Sequence, residues 1–461
     1  MKLFNTLSGK KEELNQKDNY VRMYACGPTV YNFFHVGNAR CFVVFDFLRR
    51  YLEFRGNKVD FVQNFTDIDD KLIKRAKEEN TTVKDVAEKY ITEYYKDAQG
   101  LGIKAATVHP RATENIDSII SIISTLIEKG FAYERNGDVY FSSRKFNEYG
   151  KLSKINIDEL ESGARVEIGD VKEDPLDFAL WKAKKEGEPF WQSPWGEGRP
   201  GWHIECSAMV DKYLGKTIDI HCGGADLSFP HHENEIAQSE AAFGVPFARF
   251  WIHNGYINVD NKKMSKSLNN FFTVREAAEK YGYDAIRFFL LSAHYRSPVN
   301  FSQDALTQAQ NALSRLYNFE DNLRFLIQNS NSGEIDTELL NKAKEFENEY
   351  IKVLDDDLNS ADAIASVFEL VKFVNVNSSG ITKETAQALF DIYEKLCSLL
   401  GFMKPKSSEE ISDEDVLKLI EERANAKKEK NYAKADEIRN MLKEKKVILE
   451  DTPSGVKFKR I

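Results

Sequence analysis

Apolar and polar positions near the N-terminus alternate in a way that predicts two strands around a helix. Residues 21–27 predict a short strand, 41–54 a largely buried helix, and 58–64 a second strand. Gly56 stands where a helix C-terminal cap is expected. This order is a βαβ unit, which predicts an α/β fold with a Rossmann-like, doubly wound parallel sheet.

The stretch from about 115 to 200 interrupts this pattern and is interpreted as an insertion. It contains a helical pattern over 116–129, a strand over 138–142 and a loop rich in Gly, Pro and Trp. Strand-like segments resume at 218–221 and 250–256. We therefore expect the sheet to be completed after the insertion.

From Asn300 onward the apolar positions follow a helical period. Ser302 is a candidate N-cap for one helix, and Asn359 or Ser360 for another. The polar, acidic segment 407–415 predicts a linker into a small C-terminal domain.

The predicted organisation therefore has three parts. They are a Rossmann-like domain over 1–300 that carries the insertion, an α-helical bundle over 301–406 and a small basic domain over 407–461.

Composition limits the class of protein. The 461 residues contain no apolar run of the roughly 20 residues that cross a bilayer, and the N-terminal residues contain no apolar core of a signal peptide. Five sparse cysteines do not resemble a disulfide framework. We therefore expect a cytoplasmic protein that does not enter a membrane.

The distribution of charge changes what the net charge suggests. A formal net charge of −9 argues weakly against nucleic acid as a partner. Residues 423–461, however, contain 12 Lys or Arg and 6 Asp or Glu, a net of +6. Such a segment can meet a polyanion locally. Charge alone favours the other interpretation, a solvated helix face.

The string His35-Val36-Gly37-Asn38 lies between the first predicted strand and its helix. Free N–H groups and the positive end of the helix dipole make such a loop an anion site. Gly37 would let a ligand approach the backbone closely. Four residues by themselves also fit an ordinary loop.

The string KMSKS at 263–267 is a second candidate phosphate site. Its lysines, Lys263 and Lys266, can neutralise the charge that develops on a leaving pyrophosphate. A solvated basic turn is the alternative. The two strings together are stronger evidence, because one precedes the first helix of the sheet and the other follows its last strand.

Histidine and cysteine are concentrated in one part of the chain. Five of the eight histidines fall within 51 residues, together with Cys206 and Cys222. His231 and Glu235 stand at i, i+4 and can face one ion on a helix, and Cys206 can supply a thiolate. Spacing does not separate His231 from His232 and does not exclude Cys222. The remaining histidines are expected to be structural or to line a substrate pocket: His203, His221 and His253.

The two short motifs resemble the HIGH and KMSKS motifs of class I aminoacyl-tRNA synthetases. Longer strings narrow the resemblance to the cysteinyl-tRNA synthetase family. They are CGPTVYNFFHVGNAR (26–40), NFTDIDDKLIKRA (64–76), DFALWK (177–182), GRPGWHIECSAM (198–209), DIHCGGADLSFPHHENEIAQSE (219–240) and HYRSPVNFS (294–302).

The resemblance implies a ligase that works in two steps. L-cysteine is activated with ATP to cysteinyl-adenylate, and the cysteinyl group is transferred to the 3′ end of tRNA(Cys). His35, Gly37, Asn38 and Lys266 would bind ATP, which Mg²⁺ accompanies. The catalytic residues would be His35, Asn38, Lys263 and Lys266.

The resemblance also implies a zinc site and its surroundings. Cys26 joins Cys206, His231 and Glu235 as ligands of one Zn²⁺, which recognises the thiol of the substrate as a further ligand. Thr66 would contact the bound cysteine, and Trp202 would form a wall of its pocket. The basic segment would lie near the anticodon, and we expect a monomer.

Two positions depart from the family pattern. Asn38 stands where the motif has its second histidine, and Cys222 stands where glycine is expected. Two other functions also remain open. One is a related ligase that adds cysteine to an amino sugar, and the basic segment over 423–461 argues against it. The other is a non-catalytic zinc protein that binds nucleic acid, and the presence of both phosphate motifs argues against that.

Overall fold

The computed structural model describes residues 1–15, 18–155, 172–259, 262–263, 272–405, 413–445, 447–452 and 455–460. The chain divides into two compact units. The first comprises residues 1–310 and 352–362, and the second comprises residues 311–351 and 363–461. Within the described residues, no helix is both long and apolar enough to cross a bilayer.

The first unit contains strands and helices in alternation. Its strands are β1 (Lys2–Asn5), β2 (Lys10–Glu13), β3 (Tyr20–Ala25), β4 (Lys58–Gln63), β5 (Ala132–Arg135), β6 (Asp138–Phe141), β7 (Phe178–Ala183), β8 (Gly198–Pro200), β9 (Ile218–Gly224), β10 (Ala248–Asn254), β11 (Ile257–Val259), β12 (Lys262–Lys263) and β13 (Val299–Phe301). Its helices are α1 (Val36–Phe54), α2 (Asp70–Glu79), α3 (Val83–Gly100), α4 (Ile116–Glu128), α5 (Ile204–Tyr213), α6 (Glu233–Phe243), α7 (Val274–Tyr281) and α8 (Tyr283–Leu291).

A parallel four-stranded sheet forms the centre of this unit, in the order β10-β9-β3-β4. The first βαβ unit runs from β3 through α1 to β4, with α1 and the inner strands buried. This arrangement confirms the predicted parallel α/β sheet. Helix α1 begins five residues earlier than predicted, because the side chain of His35 caps its first turn.

The insertion forms its own antiparallel sheet, in the order β5-β6-β7-β8. Helix α4 packs on it through a stripe of buried isoleucine and leucine, including Ile119, Ile123 and Leu126. Phe141 and Trp181 fill the same core from the strands. The sheet of the first domain resumes afterwards with β9 and β10, as the apolar pattern predicts.

The remaining chain is helical and ends in a hairpin. Its elements are α9 (Gln303–Asn329), α10 (Thr337–Asp355), α11 (Ser360–Asn377), α12 (Lys383–Leu400), α13 (Asp413–Lys428), α14 (Tyr432–Glu444), β14 (Val447–Thr452) and β15 (Gly455–Arg460).

The predicted caps of two helices are in place. Ser302 Oγ accepts from the N–H of Ala305 at 3.3 Å, and Asn359 Oδ1 accepts from the N–H of Asp362 at 3.2 Å. Asn359, rather than Ser360, is therefore the N-cap of α11.

The C-terminal helices and hairpin share one small apolar core, which includes Val416, Ile438 and Leu442. Helix α13 begins at Asp413, so the last three residues of the predicted linker belong to a helix. The rest of that linker, 407–412, lies outside the described residues.

Candidate active site and metal centre

The HVGN string forms the start of α1 through a reciprocal pair of hydrogen bonds. The N–H of Asn38 donates to His35 Nδ1 at 3.2 Å, and the N–H of His35 donates to Asn38 Oδ1 at 3.4 Å. This is a capping box in which histidine and asparagine take the usual roles of Ser and Glu. The cap uses the oxygen of the Asn38 amide and not its Nδ2.

The KMSKS string begins at Lys263, the last residue of β12, which pairs with β11. Strand β11 pairs in parallel with β13 and antiparallel with β12, where Lys263 stands opposite Asn258. Residues 264–271, which include Lys266, lie outside the described residues. The N–H of Val36 donates to the carbonyl of Phe272 at 3.2 Å, so the first described residue after this stretch is bonded to the start of α1.

Four potential metal ligands converge in the buried interior: Cys26, Cys206, His231 and Glu235. The two sulfur atoms are 3.8 Å apart, and Cys26 Sγ lies 3.4 Å from Glu235 Oε1. His231 Nε2 lies 3.7 Å from Cys206 Sγ and 2.9 Å from Glu235 Oε1.

Two of these separations fit a tetrahedral zinc ion, whereas the 2.9 Å between His231 Nε2 and Glu235 Oε1 is a hydrogen-bond distance. Zn–S bonds of about 2.3 Å place two sulfurs roughly 3.8 Å apart, and Zn–N bonds of about 2.0–2.1 Å place nitrogen about 3.5 Å from sulfur. The Cys26 to Cys206 and Cys206 to His231 distances are close to both values. Two thiolates, one imidazole and one carboxylate are also a donor set that suits Zn²⁺.

A second, overlapping group could also hold a metal ion: Cys26, His221, His232 and Glu235. His232 Nε2 lies 3.4 Å from Cys26 Sγ, and His221 Nε2 lies 2.8 Å from Glu235 Oε2. Cys222, which the sequence left open, belongs to neither group. The geometry therefore leaves two candidate ligand groups, one with Cys206 and His231 and the other with His221 and His232.

The burial of the cluster shapes its protonation. Burial would raise the pKa of the Glu235 carboxyl, but His221 and His231 outweigh it and hold that pKa well below the usual range. Burial opposes the charged form of His231, yet Glu235 and Cys206 raise its pKa to about 10. Burial and the neighbouring Cys206 raise the pKa of Cys26 well above normal. The buried carboxylate of Glu235 is thus stabilised by the imidazoles beside it.

Thr66 and Trp202 both lie near this cluster. The buried hydroxyl of Thr66 donates to Glu205 Oε2 at 2.9 Å, and Glu205 precedes Cys206 on α5. The ring of Trp202 lies 4.4 Å from that of His231, and the side chain is 41% exposed. Trp202 therefore covers the cluster at the protein surface and is not a core residue.

His203 and His253 each contact a histidine of one of the two ligand groups. His203 Nδ1 lies 2.9 Å from His231 Nδ1, and His253 Nε2 lies 2.8 Å from His232 Nδ1. Burial lowers the pKa of His253 to about 3, which keeps its ring neutral. Contacts of this kind orient metal-binding imidazoles. They join residues up to 28 positions apart, so periodicity in the sequence does not reveal them.

Sequence reasoning missed two further features of the site. His221, expected to be structural, contacts the carboxylate of Glu235 directly. The side chain of Arg40, just after the HVGN string, is completely buried. The only signal for His221 is its place near the carboxyl end of a predicted strand, where α/β sheets bind ligands.

Two protein-family models match this chain, one in its N-terminal part and one in its C-terminal part. Residues 12–311 match the model of the tRNA synthetases class I (C) catalytic domain. Residues 349–404 match the DALR domain. A cysteine–tRNA ligase of Caldicellulosiruptor saccharolyticus is 56% identical over 464 residues, which cover 100% of both chains.

Solved structures of other synthetases share the fold at low identity. A Mycobacterium tuberculosis methionyl-tRNA synthetase in complex with methionyl-adenylate superimposes with a TM-score of 0.61 at 15% identity, covering 83% of this chain and 90% of that one. The LeuRS of Agrobacterium radiobacter K84, in a ternary complex with tRNA and LeuAMS, has a TM-score of 0.61 at 11% identity, with coverages of 84% and 86%.

The sequence relationship is much closer than the structural ones and extends over the entire chain, and the catalytic-domain match includes every potential ligand of the buried cluster. The chain therefore belongs to the cysteine–tRNA ligase family of class I aminoacyl-tRNA synthetases.

Proposed function

We propose that this ligase activates L-cysteine at the carboxyl ends of its parallel strands, with Cys26, Cys206, His231 and Glu235 holding one Zn²⁺. The convergence of these four buried ligand atoms is the observation that carries the proposal. Cys26 follows β3, and strand ends of this kind are where α/β sheets bind ligands. Of the two overlapping groups, the one with both thiolates is preferred, because soft ligands favour zinc.

A metal ion at this position would explain how cysteine is separated from serine. The two amino acids differ by one atom, and a pocket that relies on shape separates isosteres by only about 10². Bound zinc supplies a soft acid that favours a thiolate over a hydroxyl. Trp202 would close the pocket, and Thr66 would accept a hydrogen bond from the substrate, because its own hydrogen is donated to Glu205.

ATP is proposed to bind at the start of α1 and at the KMSKS segment. The proposed ligands are His35, Gly37, Asn38 and Lys266, with Lys263 beside them and Mg²⁺ on the phosphates. The capping box supports this role, because it orders the helix N-terminus that would face the triphosphate. These residues stabilise charge and form no covalent bond with the substrate.

The C-terminal regions are proposed to bind tRNA(Cys). The domains would be a catalytic domain over 1–300, a helical tRNA-binding bundle over 301–406 and a small basic domain over 407–461 near the anticodon. The similarity to a cysteine–tRNA ligase over the whole chain supports a tRNA-binding role for these regions, and the DALR match over 349–404 lies within the bundle. The family relationship over the whole chain leaves no support for the amino-sugar ligase or the non-catalytic zinc protein.

We further propose that the protein is a monomer of the reduced cytoplasm. All five cysteines are free and buried, which suits a compartment in which thiols stay reduced. Sedimentation at increasing protein concentration checks the oligomeric state.

Metal analysis of paired variants tests the proposed site. Cys206→Ser should lose its zinc and most affinity for cysteine while it still binds ATP, and purified wild type should hold about one zinc per chain. Cys222→Ser is the matched control, because Cys222 is an equally buried thiol outside both ligand groups. Its zinc content should be unchanged.

A second pair of variants chooses between the overlapping histidine sets. His231→Gln should abolish zinc binding, whereas His232→Gln should retain the metal with reduced affinity, because His232 would only support the site. If only His232→Gln loses its zinc, the ion is bound by the other group, Cys26, His221, His232 and Glu235. A metal-free enzyme that remains active and still rejects serine would contradict the proposal entirely.

A further inference from the structure

The guanidinium of Arg40 is completely buried, and its described contacts are with carbonyl oxygens rather than with a carboxylate. Nη1 donates to the carbonyl of Tyr256 at 2.9 Å, and Nη2 donates to those of His294 and Tyr295 at 3.2 Å and to that of Ser297. Burial lowers the pKa of Arg40 to about 10, which leaves the side chain charged at neutral pH. A buried charge of this kind is costly, so its position calls for an explanation.

The carbonyls that Arg40 binds lie at the entrance to the KMSKS segment. Tyr256 directly precedes β11, and its carbonyl also accepts from the N–H of Val299, the first residue of β13. Strand β11 in turn pairs with β12, which ends at Lys263. Arg40 therefore joins α1 to the small sheet from which the KMSKS segment begins.

The residues that follow the stretch 264–271 are bonded to the start of α1. The N–H of Val36 donates to the carbonyl of Phe272 at 3.2 Å, and the N–H of Val274 donates to that of Phe34 at 3.1 Å. Described residues on both sides of the stretch 264–271 are thus bonded to residues 34–40, which include the HVGN string.

We propose that Arg40 is a positioning residue for adenylate formation, holding the entrance of the KMSKS segment in register with the HVGN turn of α1. The proposal rests on the phosphate-binding roles proposed above for these two motifs. Two phosphate-binding elements on separate segments must be placed together, and a displacement of about 1 Å far from the chemistry can lower a rate 10²-fold. The planar, rigid guanidinium, whose two Nη groups here bind four carbonyls, suits this task.

Arg287 offers a matched control. It is also a buried arginine, with 1% exposure, but it pairs with Asp46 at 2.8 Å and donates to the carbonyl of Leu101 at 3.0 Å. Its charge is therefore compensated, and these partners belong to neither β11 nor β13.

The test is cysteine-dependent ATP–pyrophosphate exchange with Arg40→Lys, which keeps the charge but cannot reach four carbonyls. We expect kcat to fall at least tenfold, with the KM for cysteine within threefold of wild type. Arg40→Ala should fall further, and millimolar guanidinium chloride should restore part of its kcat. Arg287→Lys should lose thermal stability but keep kcat within twofold.

Two outcomes would overturn the role. One is wild-type kcat in folded Arg40→Lys, and the other is a folded Arg40→Ala that guanidinium does not rescue. If neither variant folds, Gly255→Ala probes the same contact, because a Cβ there would lie 2.6 Å and 2.7 Å from the carbonyl oxygens of Arg296 and Ser297. It should show the same loss of kcat, and unchanged kcat would refute the proposal.

The exchange rate and zinc content of the wild-type protein test the proposed function separately. Failure there would be visible before any Arg40 variant is compared.

Discussion

At the scale of single residues, the departure from the family motif at Asn38 has a structural explanation. The asparagine completes the capping box with His35, because its side-chain oxygen accepts from the N–H of His35. Its Nδ2 is the group that we propose as a donor to ATP. A histidine there would offer a possible positive charge, whereas asparagine offers only a dipole. The remaining positive charge must come from elsewhere, and the lysines of KMSKS are the candidates.

Two substitutions at Asn38 separate the cap from the chemistry. Asn38→Ala should lose about 0.5–1 kcal/mol of stability, because the N–H of His35 loses its acceptor. It should also slow adenylate formation. Asn38→Asp keeps the acceptor, so its melting temperature should match wild type, while the lost donor and added negative charge slow adenylate formation at least tenfold. Thermal melts and stopped-flow measurements check both. Wild-type rates in Asn38→Asp would contradict a phosphate role.

Lys266 is expected to act mainly in the transition state, where charge develops on the departing pyrophosphate. Lys266→Ala should therefore lower the rate of adenylate formation at least tenfold, which corresponds to roughly 1.4 kcal/mol. The affinity for cysteine should change much less. Single-turnover kinetics measure both quantities. A mutant that forms adenylate at wild-type speed would remove Lys266 from the mechanism.

At the scale of elements, the segment that follows β4 illustrates how loops are held against the sheet. His109 Nδ1 lies 2.9 Å from the carbonyl of Gln63, its Nε2 accepts from the N–H of Ala106 at 3.1 Å, and its ring stacks on Phe65. Burial lowers the pKa of His109 to about 4. The neutral ring is therefore part of the folded structure at neutral pH.

Because the pKa of His109 is lowered in the folded state, we expect the free energy of unfolding to depend on pH. Its pKa in the folded state is below the unfolded value of about 6.5, so the unfolded chain binds the proton first. The contribution is fully present above pH 6.5 and is lost as the pH falls toward 4, by at most about 3.4 kcal/mol. His109→Gln should flatten this part of the curve in urea titrations. The same slope in wild type and variant between pH 6.5 and 4 would show that other groups cause it.

At the scale of the whole molecule, charge is distributed unevenly. The chain carries −9 overall, but its last 39 residues carry a net of +6. In the described part of this segment, α13 and α14 share a core with the C-terminal hairpin. Lys428 and Lys434 are exposed on these helices and available to a polyanion.

Removing these two charges tests the contact with tRNA. Lys428→Gln combined with Lys434→Gln should weaken tRNA binding and reduce the slope of log K against log salt by about 1–2. ATP–pyrophosphate exchange should survive, because its site lies in the first unit. Lys10→Gln combined with Lys11→Gln changes the charge equally on the N-terminal hairpin and serves as the control. Equal salt slopes in the two double variants would count against the basic segment.

The sequence determined the elements and the chemistry they carry. Local apolar periods predict β3, β4 and the helix of the insertion to within about two residues, and α1 except for its first five residues, because strands and helices depend on neighbouring side chains. Short motifs place HVGN at a helix start because caps are also local. Family resemblance supplied what spacing left open, above all Cys26 as a partner of residues 180 or more positions away.

The tertiary structure alone decided which of these side chains meet. Cys26, Cys206 and Glu235 come from a strand end and two helices, and only folding brings their atoms to within 4.8 Å of one another. The same is true of His221 on Glu235 and of Arg40 on the carbonyls beside β11. These contacts join positions far apart in the chain, and their energies depend on burial, which no local pattern of residues encodes.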